Sequence, residues 1–147
     1  MRPVRVVALA CMMAAVLATS LAVAQEAAMP RDGVFVHISH GRDDPHRLLM
    51  GLSMAGMMSE DHDVLVYFDI QGVETVLNDA NDVTYAHFTP LKAQLEELQK
   101  LGVTLMACPG CLKAAGKTPK DLVAGVQVAD KAKFFSFTKG RILTLDY

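Results

Sequence analysis

Three short apolar runs constrain this chain more than any other feature: Val34-Phe35-Val36-His37-Ile38-Ser39, Asp63-Val64-Leu65-Val66-Tyr67-Phe68-Asp69 and Val103-Thr104-Leu105-Met106-Ala107. The second is apolar almost throughout, the pattern of a strand covered on both faces. Helical or turn-forming segments separate the three runs, and two further extended stretches follow, a short one over 125–128 and Arg141–Tyr147. Strands alternating with helices predict an α/β fold with a mostly parallel sheet and helices on both faces. No repeat, linker or low-complexity segment interrupts the order, so one small domain is expected.

The helices are marked by their ends. Asp44 is placed to cap a helix opened by Pro45, whose missing N–H is harmless at the first helical position. Met50, Met54, Met57 and Met58 then fall on one face of that helix, beside Leu48, Leu49, Leu52 and Ala55. Thioethers on one face are soft enough for Cu(I), and the same spacing serves packing in a core or an oligomer interface, which is the reading adopted. After the second run, 70–74 turns the chain and Thr75 to Asp82 forms a short helical or irregular piece. Thr89 and Pro90 open a helix through Leu101 with Leu91, Leu95, Leu98 and Leu101 on its apolar face, ended by Gly102. Beyond the third run a short helix stops at Gly116, Thr118 and Asp121 form a capping pattern, and Lys131 to Thr138 makes one more helix.

The first residues read as a leader rather than as part of the fold. Arg2 and Arg5 precede an apolar stretch from Val6 to Val23, and Ala22-Val23-Ala24 is a small-x-small cleavage signal. Residues 1–24 are therefore expected to be a signal peptide and 25–147 the domain, periplasmic or secreted, with no stable membrane anchor after cleavage. Residues 25–32 read as a loose arm. Arg2 and Arg5 belong to the leader, which leaves 12 of the 14 basic residues against 16 acidic ones and a charge of about −4. Such a chain has no basic stripe to neutralise phosphates, and nucleic acid is not expected as a partner. Cys108 and Cys111 are the two cysteines that remain, in a compartment that permits a disulfide.

Those cysteines sit where the third run meets a helix. Pro109 and Gly110 suit a tight turn, and the N–H groups of the next helix would point back at the sulfurs, favouring the nucleophilic and metal-binding thiolate. In parallel sheets ligands bind beyond the carboxyl ends of the strands where the winding reverses. That rule selects the loop holding Cys108 and Cys111 and the loop after the first strand, with His40, Arg42 and Asp43 as substrate-binding candidates. His37, on the first strand, reads as a sheet-face histidine with a hydrogen-bonded ring.

The segment from Val34 to Val76, with His37-Ile38-Ser39-His40-Gly41 before Asp43-Asp44-Pro45 and then Phe68-Asp69-Ile70-Gln71-Gly72-Val73, resembles the DsrE/DsrF-like family. Ala107-Cys108-Pro109-Gly110-Cys111-Leu112-Lys113-Ala114-Ala115-Gly116, followed by Leu122-Val123-Ala124-Gly125-Val126, resembles that family's cysteine region. The resemblance implies a small α/β domain assembling into homotrimers or homohexamers, and in several members a cysteine that carries sulfur as a persulfide. Cys108 matches the reactive cysteine, and Cys111 would be a resolving or second thiol. Relay members are typically cytosolic, so delivery of sulfur to tRNA does not fit a chain with this leader.

Two kinds of function follow. In one, an exported sulfur carrier or transferase accepts sulfane sulfur on Cys108 from a donor and passes it to an acceptor, small molecule or protein, with no cofactor. In the other, the chain is a copper or zinc module using Cys108, Cys111, His40 or His87, or a noncatalytic oligomeric binding protein. Two cysteines separated by two residues are half of a metal knuckle whose second half is missing. A thioredoxin-like arrangement would carry the pair after an early strand with a cis-proline loop to follow, whereas here it follows the third strand.

Overall fold

The computed structural model describes residues 29–147, so the leader and the first half of the expected arm, 25–28, lie outside the described residues. The three apolar runs become β1 (Gly33–Ile38), β2 (Asp63–Phe68) and β3 (Thr104–Ala107), joined by β4 (Val126–Val128) and β5 (Ile142–Asp146). The sheet order is β4-β3-β2-β1-β5 and every pairing is parallel. The expected α/β architecture is therefore the one observed.

Alternation within each strand decides what covers it. Val34, Val36, Ile38, Val64, Val66, Phe68, Leu105 and Ala107 lie on one face and are all buried. Over that face lies α1 (Pro45–Met58), whose Leu48, Leu49, Leu52 and Ala55 complete the core, with α2 (Leu91–Lys100) contributing Leu91, Leu95 and Leu98. The opposite face carries Phe35, His37, Tyr67 and Met106 in register. There α4 (Lys131–Phe135) brings Phe134 edge-on to Phe35 and Tyr67, each at 5.2 Å between ring centroids. Helices thus lie on both faces, heavily on one and thinly on the other. No helix among the described residues is long and apolar enough to cross a membrane.

The helix ends follow the expected chemistry with some shifts. Asp44 caps α1 by accepting the Arg47 N–H at 3.0 Å. Thr89 does not cap α2; Pro90 occupies that position without a side-chain bond, and Asp82 Oδ1 accepts the Lys92 N–H at 3.0 Å instead. Gly102 and Gly116 take left-handed φ of 76° and 68°. Each ends its helix by a matched pair of bonds, Gly102 N–H to Gln99 and Val103 N–H to Leu98, then Gly116 N–H to Lys113 and Lys117 N–H to Leu112. The methionines split from the core face: Met50 and Met57 are exposed, and only Met58 packs against the core. The piece expected over 75–82 begins earlier, as a 3-10 turn over Gly72–Val76, and the last helix stops at Phe135 rather than Thr138.

The turn after β2 is hung on the end of β1. Asp69 N–H donates to the Ile38 carbonyl at 3.1 Å and Gln71 N–H to the Ser39 carbonyl at 3.2 Å. A Cβ on Gly72 would collide with that same Ile38 carbonyl, a backbone group that cannot swing aside. Gly72→Ala should therefore lower the unfolding free energy by about 1–3 kcal/mol, the range of an overpacked site, measured by urea denaturation. An unchanged midpoint would show that the turn is not pinned there.

Candidate functional site

The cysteine corner continues the β2–β3 ladder by one rung. Cys108 N–H donates to the Phe68 carbonyl at 2.8 Å, and Pro109 then opens α3 (Pro109–Ala114). Cys108 is the capping residue of this helix, and its Sγ accepts the Cys111 N–H at 3.4 Å. Cys111 Sγ in turn accepts the Ile70 N–H at 3.2 Å, from the turn after β2. Both cysteines are half-buried and unbridged.

The two thiols are driven apart. Burial pushes Cys108 up, but hydrogen bonds from the Tyr67 hydroxyl, the Cys111 N–H, the Cys111 thiol and the Gly110 N–H together outweigh it and hold Cys108 below the ordinary thiol value. Burial pushes Cys111 up as well, the Ile70 N–H opposes it, and the neighbouring Cys108 and Asp69 charges leave it raised. Tyr67 is held protonated, by burial and by its bond to Cys108. Cys108 is thus the more acidic thiol of the pair and Cys111 the less acidic.

Beside Tyr67, on the thinly covered face, His37 bridges two carboxylates from flanking strands. Its Nδ1 lies 2.8 Å from Asp146 on β5 and its Nε2 2.9 Å from Asp69 at the end of β2. The first is an aligned hydrogen bond; the second is an ion-pair contact, and Asp69 Oδ1 has no aligned donor. Burial pulls the His37 pKa down, and the two carboxylates more than reverse this and raise it.

The loop after β1 lies on the other side of the Asp69–Gly72 turn. His40 Nδ1 meets Asp43 at 2.6 Å, and the Gly41 N–H donates to Asp43 at 2.7 Å. With its nitrogen turned towards Asp43, the Gln71 amide donates to both carboxylate oxygens at 2.6 and 2.7 Å. Arg42 reaches away to the carbonyls of Asn81 at 2.6 Å and Asp82 at 3.4 Å. No hydrogen bond or ion pair among the described residues joins His40, Arg42 or Asp43 to either cysteine. His87 stacks on Phe88 at 4.7 Å. Among the described residues no three His, Cys, Asp or Glu side chains gather as a metal site would need, so Cys108, Cys111, His40 and His87 do not converge.

A scan of family models matches residues 32–139 to the DsrE/DsrF-like family. The chain belongs to that family. Among solved structures, the DsrE/DsrF-like domain resembles the ychN protein of E. coli at 16% identity and a TM-score of 0.59, over 80% of this chain and 100% of that one. It also resembles a protein of unknown function from Methanobacterium thermoautotrophicum at 22% identity and a TM-score of 0.57, over 78% and 99% of the two chains. Identities this low establish a shared fold. No curated protein matches the sequence.

Three contributors to this site in the DsrE/DsrF-like domain escape a sequence reading: Tyr67, Asp69 and the Ile70 N–H. Tyr67 and Asp69 look like ordinary members of a buried strand, and only the β1–β2–β3 register puts them beside Cys108 and His37. Ile70 carries the one available signal, a β-branched residue in a turn, where it adopts φ of 45° and stands 63% exposed. Such a conformation costs on the order of 1–3 kcal/mol and persists where surrounding bonds enforce it.

The His37 bridge carries a pH signature. A histidine raised by folding adds stability that is complete below its unfolded value, about 6.5, and is lost as the pH rises through the folded value. Between pH 5.5 and 8.5 the native chain should lose on the order of 0.5–1 kcal/mol more than His37→Gln, a range set by solvent screening. Comparing the two cancels Cys108, whose lowered value works in the opposite sense. Parallel pH curves from chemical denaturation would mean that the bridge adds nothing.

Proposed function

We propose that this DsrE/DsrF-like domain handles sulfane sulfur through Cys108, as a carrier or transferase, in a chain exported by its leader. The observation that carries the reading is a linked pair of half-buried sulfurs at the end of β3: Cys108 Sγ takes the Cys111 N–H, and Cys111 Sγ takes the Ile70 N–H. A thiolate set this way is the nucleophile of sulfur chemistry.

In the loading step the Cys108 thiolate attacks a sulfur of a polysulfide. One S–S bond forms and one breaks, and the shortened polysulfide leaves with the electron pair. For delivery, an acceptor thiolate attacks the outer sulfur of the persulfide and Cys108 leaves as a thiolate, with no net change in the protein. Without an acceptor, Cys111 can give up its proton and attack Cys108 Sγ. Hydrosulfide is then released and the pair becomes a disulfide. The partners in this reading are a sulfur donor and an acceptor, and the working form is a homotrimer or homohexamer. The exposed Ile142 and Leu143 on the open edge of β5 favour such an assembly.

Intact-mass spectrometry of the reduced protein after anaerobic exposure to polysulfide tests this. Steps of about 32 Da, one sulfur each on a reactive thiolate, should appear in the native chain, vanish in Cys108→Ala and persist longer in Cys111→Ala. Loading that survives in Cys108→Ala, or its absence from the native chain, overturns the reading.

A further inference from the structure

We propose that Cys108 and Cys111 also carry out thiol–disulfide exchange, accepting small disulfides that have no carboxylate beside the reacting sulfur. This activity uses the two sulfurs assigned above and does not depend on sulfane sulfur. Three observations carry it.

The first is that the pair is open yet primed to close. Neither sulfur is bridged, only two residues separate the cysteines, and the Cys111 N–H already points at Cys108 Sγ at 3.4 Å. The second is that the sulfurs are held by different elements. Cys108 takes its donor from within α3, whereas Cys111 takes the N–H of Ile70, from a strained turn on another strand. That donor can steady Cys111 as its proton leaves, which is the moment the second attack requires. The third is the ground beside Cys111: a hollow of about 400 Å³ lined by Ile70, Gln71, Glu74, Cys111, Ala114 and Ala115. Glu74 is its one charged lining residue, and Asp69 lies next to Ile70 on the chain. The hollow therefore accepts an apolar or cationic group and repels a carboxylate.

The exchange balances in two steps. The Cys108 thiolate attacks one sulfur of the disulfide, and the other leaves as a thiolate with the electron pair. Cys111 then loses its proton and attacks Cys108 Sγ, releasing the second thiolate, so that the substrate is reduced by two electrons and the pair is oxidised by two. A dithiol supplied from outside the chain restores the pair by the same chemistry in reverse.

Cystamine is the probe, with dithiodiglycolate as its anionic counterpart. Excess cystamine should convert the native chain to the internal disulfide, lighter by two hydrogens, with two cysteamines released per chain. Cys111→Ser should stop at one cysteamine adduct on Cys108, and Cys108→Ser should react at least tenfold more slowly. Cystamine should outpace dithiodiglycolate at least fivefold, and Glu74→Gln should narrow that gap. Variants are compared at equal helicity by circular dichroism, so an unfolded variant is recognised as such. A native chain that remains a cysteamine adduct, or a Cys108→Ser variant as fast as the native one, overturns the exchange; equal rates with the two disulfides overturn the substrate class. Sulfur loading without exchange would remove this proposal and leave the sulfur carrier standing, and exchange without loading would do the reverse.

Discussion

The hydrogen bond from the Cys108 N–H to the Phe68 carbonyl, 2.8 Å long, is the interaction on which the rest of the site depends. It is the last rung between β2 and β3, and it fixes which face the sulfur takes. Side chains alternate with a period of two, so a slip of one residue would turn Cys108 away from Tyr67 and towards the helices. The slip is opposed from below, because it would carry Leu105 and Ala107, which are 1% and 0% accessible, away from the core they form with α1 and α2. Burial of the core thus sets the aim of the thiol, and Pro109, which has no N–H to extend the ladder, ends it there.

The second support comes from the side. Asp69, Ile70 and Gln71 form a wall between the loop after β1 and the cysteine corner, and each faces a different task. Asp69 meets His37, Ile70 donates to Cys111, and Gln71 donates to Asp43. This wall explains why residues from two strand-end loops do not form one site. Winding proceeds β1 to β2 to β3 to β4 in one direction and then crosses back to β5. The reversal therefore falls at β3 and β4, one side of which is the cysteine loop. The loop after β1 has its neighbours wound the same way, so it gains no crevice from topology.

Much of the fold was legible in the sequence because its signals are local. The apolar runs, the Asp44-Pro45 start and the Gly102 and Gly116 stops each act through their nearest neighbours, and each is found where the residues place it. Thr89 failed as a cap because the segment ten residues upstream supplies the acceptors, Asp82 Oδ1 for the Lys92 N–H and the Val83 carbonyl for the Leu91 N–H. The thiol pair was legible for the same local reason, being one short segment. Tyr67, Asp69 and the Ile70 N–H were not, because what they do depends on register between strands. A single sequence records each strand's faces and not its partners. Strand order was hidden in the same way: no residue in Ile142–Asp146 announces that β5 returns to pair with β1 rather than extending the sheet beyond β4.

The electrostatics of Cys108 differ from those of a thiolate paired with a cation. Arg42 is fastened to carbonyls, His40 to Asp43, and Arg47 to Asp44 at 3.3 Å. The basic groups of the loop after β1 and the start of α1 are therefore committed elsewhere, and Cys108 is lowered by N–H and O–H dipoles. Dipoles act at short range, so the support is insensitive to ionic strength, whereas a surface cation would be screened within about 8–10 Å at physiological salt. Burial works against these donors, so the lowering of Cys108 is the remainder of two opposed effects. That balance suits transfer chemistry. A thiol whose pKa is driven far down leaves readily but attacks poorly, and the best nucleophile has a pKa near the ambient pH. In the sulfur-carrier role proposed above, Cys108 would both attack a sulfur donor and leave from its persulfide, and a site built from partial charges in a half-buried corner suits both steps.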